Sequence, residues 1–383
     1  MYENLLGGLT PRQFLNEYWQ KKPLLIRQAV PGFKGLLDRD ALFELACNPD
    51  VESRLVRQSP KGWALEHGPQ QRRAFKDSKH PWTVLVQGLN LWLPSADELL
   101  HRFHFIPQAR LDDLMVSYAV DGGGVGPHFD NYDVFLLQGT GQRRWQIAAQ
   151  EDRSLLDDVP LKILRHFTPE HDWVLEPGDM LYLPPHWAHN GIAIGECTTY
   201  SIGFRSPEAQ ELGAEFLLWL QERLKLEGLY ADPDLQEQDN SALIGPAMVE
   251  QVHSMLSAIR WDRDDIAAFL GDYLSEPKPH VFFEPPEPAR EFEDFLAAVA
   301  RSGLRLDRRS LMLVSANHIH LNGEPFADEL AGCADEYALL ARLADQRRLP
   351  AEMLASTEFA DSALAEVLFD AYCNGFMWTG EDE

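Results

Sequence analysis

The chain has 383 residues, of which 34 are Lys or Arg and 60 are Asp or Glu, giving a formal net charge of −26. It is longer than the roughly 250–300 residues at which a single hydrophobic core stops growing, so we expect two or three domains. The negative charge repels nucleic-acid phosphates and favours basic partners, which argues against direct DNA binding.

Two further features predict a cytoplasmic protein that is not in a membrane. No stretch reaches the roughly 18 consecutive apolar residues of a spanning helix, and the N-terminus lacks a basic segment followed by an apolar run. The cysteines are far apart and none belongs to a CxxC pair, which predicts four unlinked thiols: Cys47, Cys197, Cys333 and Cys373.

The first predicted elements are a short amphipathic helix and a strand in TPRQFLNEYWQKKPLLI. Thr10 can cap the helix, and Pro11 suits its first position because proline has no N–H to leave unpaired there. From about Asp113 the pattern changes to short apolar runs broken by glycine and proline: LMVSYAV, DVFLLQG, RRWQIAA, DWVLEPGDMLYLP and TTYSIGF. Closely spaced strands of this kind predict a β-sandwich or barrel, and the first domain is expected at residues 1–206.

Beyond Pro207 the chain is predicted to be helical. EAQELGAEFLLWLQERLKL has apolar residues three and four apart, which predicts a packing helix within a segment, 207–277, that forms a dimer interface. The proline-rich EPKPHVFFEPPEPA indicates a boundary, and 278–383 is predicted to be a small winged-helix-like domain. Its features are a helix in EFEDFLAAVARSG, a hairpin turning at Asn322-Gly323 and a closing helix in SALAEVLFDAYCNGF.

Two motifs supply the residues of a metal site. GGGVGPHFDNYD contains His128 and Asp130, and LEPGDMLYLPPHWAHNG contains His189 on a later strand. Residues two apart in a strand point to the same face, so His128 and Asp130 can bind one ion together. Two histidines and one carboxylate occupy three of the six positions on Fe(II) and leave a face open for a co-substrate and dioxygen.

The HxD pair alone is weak evidence, because it arises often by chance. The second motif strengthens it: Gly178-Asp179 predicts a turn, a strand follows, and Pro184-Pro185 stiffens the approach to the histidine. His186 competes as a ligand, but it is expected on the turn itself, so we favour His189.

These motifs, together with FLNEYWQKKPLLI, the strand run 112–147 and YSIGFRSP, resemble the JmjC oxygenases of the cupin superfamily, and among them the RoxA-like bacterial ribosomal-protein arginine hydroxylases. The resemblance implies an α+β protein, in which a double-stranded β-helix (cupin or JmjC jelly roll) precedes a helical dimerisation segment and a winged-helix-like C-terminal domain. It also implies Fe(II), held by His128, Asp130 and His189, with 2-oxoglutarate and O2 as co-substrates. Relatives usually carry glycine at the position of His186, whereas the Asn-Gly after His189 and its distance from the two prolines match their motif.

The resemblance places a Lys or Arg at the position of Arg143, where it binds the far carboxylate of 2-oxoglutarate. The planar guanidinium suits this task because it can hold a carboxylate with two hydrogen bonds. Arg144 is the competing candidate, and only one of the two can face the cavity, because adjacent strand residues face opposite ways. Ser117 and Thr199 are expected to offer hydroxyl groups to the co-substrate.

The activity implied by the resemblance is hydroxylation of an arginine side chain, at the β-carbon, in the basic large-subunit ribosomal protein number sixteen, by a homodimer. Asp121 or Asp133 could receive the guanidinium. Glycines 122 to 124 either admit a peptide backbone or form a tight turn. Three alternatives stay open: a demethylase, an inactive cupin that acts as a ribosome- or nucleic-acid-binding regulatory factor, and a cupin that uses another divalent metal for hydrolysis or isomerisation.

Overall fold

The computed structural model describes residues 4–77, 79–330 and 333–382, which form two compact units, Met1–Ser206 and Pro207–Glu383. The further division of the second unit near residue 277 stays a prediction. The four cysteines form no disulfide, as predicted. Among the described residues, no helix combines the length and apolarity needed to cross a bilayer.

The N-terminal helix and strand form as predicted. Helix α1 (Pro11–Glu17) begins after Thr10, whose hydroxyl accepts a hydrogen bond from the Gln13 backbone at 3.2 Å. The Gln13 side chain accepts one from the Thr10 backbone at 2.9 Å in return, so two otherwise unpaired N–H groups are satisfied. Strand β1 (Leu24–Ile26) follows.

Ten more strands and two more α-helices complete the described part of the first unit. They are α2 (Arg39–Cys47), β2 (Ser53–Ser59), β3 (Gly62–His67), β4 (Trp82–Val86), α3 (Pro94–His101), β5 (Leu111–Ala119), β6 (Val134–Gln138), β7 (Gln142–Ala148), β8 (His171–Leu175), β9 (Met180–Leu183), β10 (Ala188–Ile194) and β11 (Cys197–Phe204). An eight-stranded sheet has the order β1-β9-β6-β11-β5-β4-β2-β3, and a three-stranded sheet has the order β10-β7-β8. The sequence patterns identify β5 to β9 and β11 but miss α2, α3 and β2 to β4.

The central strands β6, β9 and β11 of the large sheet are buried on both faces, which explains their nearly continuous apolar runs. Residues such as Phe135, Tyr182 and Tyr200 on the outer face pack with Phe14 and Leu42 of the N-terminal helices. The inner face and the small sheet enclose a second apolar cluster: Val134, Leu136, Trp145, Ile147, Leu175, Leu181 and Leu183. The two facing sheets form the double-stranded β-helix of a cupin, as predicted.

The second unit begins with helices and ends in a winged helix. Its elements are α4 (Ala209–Arg223), α5 (Pro246–Leu256), α6 (Arg263–Ser275), α7 (Phe292–Ser302), β12 (Leu304–Leu306), β13 (Met312–Val314), β14 (Ile319–Leu321), β15 (Glu324–Pro325), α8 (Ala334–Gln346), β16 (Arg348–Leu349), α9 (Thr357–Ala360), α10 (Ala363–Cys373) and β17 (Met377–Thr379). Asn322 and Gly323, with φ of 55° and 90°, form the predicted turn. This turn joins β14 to β15, and a further turn joins β13 to β14, so the predicted hairpin has three strands.

A buried polar cluster ties the helices of the second unit to its hairpin. The Asp272 carboxylate on α6 pairs with Nδ1 of His320 on β14 at 2.7 Å. It also accepts hydrogen bonds from Trp219 at 2.7 Å and Arg223 at 3.0 Å, both on α4. Because Asp272 is buried, losing any one of these partners would leave part of its charge uncompensated.

Two glycine-to-alanine changes in this unit are expected to have opposite effects. A Cβ on Gly271 of α6 would lie 2.0 Å from the His320 ring, so we expect Gly271→Ala to lower the free energy of unfolding by about 2 kcal/mol or more. Gly213 of α4 has no atom within 4 Å of an added Cβ, so Gly213→Ala should raise that energy by about 0.5–1 kcal/mol. Denaturant unfolding measures both, and equal effects would contradict the described packing around His320.

Candidate iron and co-substrate site

The candidate metal ligands lie where a loop meets a strand. His189 is on β10, and the segment after β5 bonds to it through one bridge, in which the His128 and His189 backbones exchange hydrogen bonds of 3.0 and 2.9 Å. The prediction that His128 and Asp130 share a regular strand is therefore wrong. Pro127 has no N–H with which to continue the hydrogen-bond ladder of a sheet. Beyond His128, the Asp130 carbonyl accepts a hydrogen bond from the backbone N–H of His186, which lies in a turn and not in a strand.

The structure brings the three predicted ligands together. One donor atom from each of His128, Asp130 and His189 lies within 4.8 Å of the others, and they are the single such group in the described part of the chain. The Asp130 carboxylate lies 3.4 Å from Nε2 of His189 and 3.9 Å from Nε2 of His128. This arrangement is compact enough for all three to bind one ion.

Hydrogen bonds fix which ring nitrogen of each histidine can bind a metal. Nδ1 of His128 lies 2.9 Å from the Gly126 carbonyl, and Nδ1 of His189 lies 3.0 Å from the Trp187 carbonyl. Because a carbonyl only accepts, each Nδ1 carries a proton, and Nε2 is the nitrogen that remains to bind a metal. Both Nε2 atoms face Asp130, so the donor set is two imidazole nitrogens and one carboxylate oxygen, which fits Fe(II).

The three candidate ligands differ in how burial and their neighbours shift their pKa values. Burial, and to a lesser extent the nearby His189, lower the pKa of His128 to about 4, so His128 is neutral at neutral pH. Burial works against ionisation of Asp130, but the hydrogen bond and charge of His189 outweigh it and hold the pKa of Asp130 at about 2. Burial likewise opposes protonation of His189, but its bond to Asp130 raises the pKa of His189 above 6.5. A proton on His189 thus competes with a metal ion.

This competition predicts a pH dependence of metal binding. Below the raised pKa of His189, each bound ion must displace one proton, so the affinity for Co(II) should fall by about tenfold per pH unit. Calorimetric titration in buffers of different ionisation enthalpy should show release of about one proton. An affinity unchanged from about pH 5.5 to 7.5, with folding checked by circular dichroism, would contradict the pairing of His189 with Asp130.

His186 does not join the ligand group. It is exposed on the turn, as expected, and its backbone has a φ of 68°, in the left-handed region that favours glycine. Its N–H donates to the Asp130 carbonyl at 2.9 Å. The turn therefore positions the backbone of a candidate ligand, while the His186 side chain is not part of the site.

The two neighbouring arginines on β7 face opposite ways. Arg144 is exposed and forms an ion pair with Asp172 on β8. Arg143 is 5% exposed, and its buried Nε and Nη2 atoms have no hydrogen-bond partner in the described structure. Trp145, two residues on, also has a buried Nε1–H without a partner. Buried donors left unpaired are costly, so an acceptor-rich molecule such as 2-oxoglutarate fits this side of the barrel.

Ser117 and Thr199 are buried on neighbouring strands of the large sheet and pair in register. The Ser117 hydroxyl donates to the Thr199 carbonyl at 3.4 Å, and the Thr199 hydroxyl donates to Gln138 at 3.2 Å. Both hydroxyl groups thus have partners within the protein. Their contact with a co-substrate stays a prediction.

The two acidic residues near the glycine loop differ in burial and in their hydrogen-bond partners. Asp133 is fully buried and accepts hydrogen bonds from Tyr182 at 2.6 Å and Gln20 at 2.9 Å, and Asp121 accepts one from the Gly195 backbone at 2.8 Å. Asp133 has no exposed surface and already lies 3.6 Å from the Arg110 guanidinium, so the suggestion that it receives the substrate guanidinium is wrong. For Asp121, which is exposed, the suggestion stays a prediction. Gly123 is in close contact with the Trp82 carbonyl, where an added Cβ would lie at 2.4 Å, which favours the tight turn.

Comparisons with known proteins agree with this geometry. Residues 98–212 match the model of the JmjC domain, and residues 258–377 match that of the ROXA-like winged helix. The ribosomal protein uL16 3-hydroxylase of Escherichia coli is 32% identical over 340 residues, which cover 86% of this chain and 89% of the relative. A probable ribosomal oxygenase of Haemophilus influenzae is 44% identical over 209 residues, which cover 53% of this chain and 52% of the relative.

Solved structures extend the similarity to the whole fold. The crystal structure of E. coli ycfD has a TM-score of 0.84 and 30% sequence identity, and the match covers 97% of this chain and 98% of that one. The E. coli ribosomal oxygenase YcfD in complex with cobalt and 2-oxoglutarate matches with a TM-score of 0.81 and 30% identity, over 97% of this chain and 98% of that one.

The jelly roll, the His-Asp-His group and these matches define a JmjC oxygenase that depends on a metal ion, 2-oxoglutarate and O2. Within that class the chain belongs to the family of the bacterial ribosomal protein uL16 3-hydroxylases. The demethylase and inactive-cupin alternatives are not favoured, because the relative that aligns over most of the chain is a hydroxylase.

Proposed function

We propose that this enzyme hydroxylates an arginine side chain of ribosomal protein uL16 at the β-carbon. The observation that carries the proposal is the 32% identity to the E. coli uL16 3-hydroxylase over 89% of that relative. The net charge of −26 supports it, because an acidic enzyme attracts a basic ribosomal protein. We also place the enzyme in the cytoplasm, where it would meet its substrate.

In this proposal His128, Asp130 and His189 hold Fe(II), and Arg143 binds the distal carboxylate of 2-oxoglutarate. When bound, the metal and co-substrate supply the oxidising chemistry that inserts one atom of O2 into a C–H bond. The chain's own residues orient these groups and exclude water: the apolar cluster around Val134 closes the barrel interior, and the Nδ1 hydrogen bonds of the histidines fix their rings. Ser117 and Thr199 are proposed to lie beside the co-substrate.

The test is to incubate purified uL16 with the enzyme, Fe(II), O2 and 2-oxoglutarate and to measure its intact mass. We expect a gain of one oxygen atom that requires both 2-oxoglutarate and Fe(II), located on one arginine by peptide fragmentation. An unchanged mass together with succinate formation would show that uL16 is not the substrate. A loss of methylene from a methylated protein would favour a demethylase instead.

We further propose that the enzyme is a homodimer assembled through the helical part of the second unit. Large apolar side chains are exposed on α4 and α5, which is unusual for a free surface: Leu217, Leu218, Met248, Val249, Val252 and Leu256. Leu217 is 63% exposed, so a charge placed there should not disturb the unit's own core.

Light scattering after size exclusion tests the dimer. The wild type is expected to have the mass of two chains, and the Leu217→Glu, Leu218→Glu double variant the mass of one. Gln221→Glu, on the same helix, is the control for added charge. A wild type with the mass of one chain would overturn the proposal.

A further inference from the structure

Arg54 stands on the same face of the large sheet as the candidate site. It lies on β2, where it pairs with Leu85 of β4, and the same row of partners continues across β5, β11 and β6 as Ser117, Thr199 and Gln138. Partners in register on adjacent strands project to one face, so Arg54 extends the inner surface that carries the proposed co-substrate residues.

The Arg54 guanidinium is hydrogen-bonded through one nitrogen and has another donor without a partner. Its Nη2 donates to Oε1 of Gln87 at 2.9 Å and lies 3.9 Å from the sulfur of Met115. Gln87 in turn donates to the buried Asp113 carboxylate at 3.1 Å, which fixes its amide. Nε of Arg54 is buried without a hydrogen-bond partner. In the part of the chain that the structure describes, Arg54 forms no ion pair with a carboxylate within 4.0 Å.

One contact places this cation beside the proposed co-substrate residues. Met115, which Arg54 contacts, is two residues before Ser117 on β5 and therefore faces the same way. The sequence motifs gave no sign of Arg54, because its position depends on the register of strands that they did not predict.

The proposed reaction requires a donor at such a position. The β-carbon of an arginine is one bond from its Cα, so oxidation there brings the substrate main chain up to the metal. Peptide carbonyls on either side of the target must then be held in place, or the wrong carbon would face the metal. A guanidinium offers five N–H donors to carbonyl oxygens, and its charge would repel the guanidinium end of the target side chain.

We propose that Arg54 is a substrate-binding residue, which donates a hydrogen bond to a main-chain carbonyl of the protein substrate beside the oxidised arginine. It takes no part in binding the co-substrate. Gln87, oriented by Asp113, keeps the guanidinium in position. The inference rests on the proposed function, since it assumes a peptide whose backbone approaches the metal.

The test compares Arg54→Gln with wild type loaded with Co(II) and 2-oxoglutarate without oxygen, and measures binding of uL16 by calorimetry. We expect binding of uL16 to weaken by about tenfold or more, as for loss of a charge-assisted hydrogen bond, with Co(II) and 2-oxoglutarate affinities unchanged. Arg54→Lys, which keeps the charge and a donor, should restore part of the binding. Arg57→Gln is the matched control: it removes the same charge from β2, but on the opposite face, where Arg57 pairs with Glu66.

The outcomes separate this inference from the proposed function. Absence of uL16 binding to the wild type would overturn the proposed function and the inference with it. Binding by wild type that Arg54→Gln leaves unchanged, or weakens no more than Arg57→Gln does, would overturn the inference alone. A loss of 2-oxoglutarate affinity in Arg54→Gln would also overturn it, because Arg54 would then act on the co-substrate.

Discussion

Replacing Asp130 with alanine is expected to lower the affinity for Co(II) by more than about 100-fold and to remove hydroxylation of uL16. Even residues that only orient a ligand typically cost about 10–100-fold in metal affinity, and Asp130 is itself the one carboxylate in the group. The variant also leaves His128 and His189 facing each other, with their rings 4.2 Å apart, without the charge that stabilises a bound cation. Calorimetry with Co(II) measures the first effect, and the mass of uL16 measures the second.

Asp152→Ala is the control for Asp130→Ala, because Asp152 is exposed and carries the same charge. It should bind Co(II) like the wild type. Retention of wild-type Co(II) affinity by Asp130→Ala would show that the carboxylate is not a ligand, whatever the variant's activity. Circular dichroism of the metal-free proteins separates loss of metal from loss of fold.

Replacing Arg143 with glutamine is expected to weaken 2-oxoglutarate binding by about 100-fold and to leave Co(II) binding nearly unchanged. A guanidinium that grips a carboxylate with two charge-assisted hydrogen bonds contributes on this scale. Arg143 is buried, and two of its donor nitrogens have no hydrogen-bond partner in the described structure, so the carboxylate of 2-oxoglutarate would supply the acceptors that they lack. The KM of the variant for 2-oxoglutarate should therefore rise.

The neighbour of Arg143 provides a strict control. Arg144→Gln removes the same charge from the next residue of β7, but that side chain faces outward and pairs with Asp172. Its KM for 2-oxoglutarate should match the wild type. Equal effects of the two substitutions would mean that charge near the strand matters rather than the inward-facing guanidinium.

The sequence predicts the chemistry of this site better than its architecture. The HxD pair, the proline-stiffened turn and His189 identify three residues that the structure brings within 4.8 Å. Adjacent residues of a strand face opposite sides, so only one of Arg143 and Arg144 can face inward. Which one does so depends on the pairing of β7 with β10, a strand that the apolar patterns do not show. Helix caps and turns can thus be predicted from local sequence, whereas the register of the sheet cannot.

Arg54 illustrates what could not be predicted. Strand β2, SRLVRQS, has only two apolar residues among seven and no flanking motif, so no local pattern identifies it as part of the barrel. Its place in the row with Ser117 arises only when β4 pairs with both β2 and β5. Contacts between residues far apart in sequence are set by the whole fold, and short patterns do not contain them.

In the proposed reaction, oxidation of 2-oxoglutarate is coupled to hydroxylation of one arginine, and the ratio of the two products measures this coupling. Wild-type enzyme with Fe(II), 2-oxoglutarate and ¹⁸O2 should form one succinate for each labelled oxygen found on an arginine of uL16, and Asp130→Ala should form neither product. Succinate without labelled uL16 would leave the oxygenase class intact and contradict the substrate. Labelled uL16 formed without 2-oxoglutarate, or by Asp130→Ala at the wild-type rate, would contradict the account of the site.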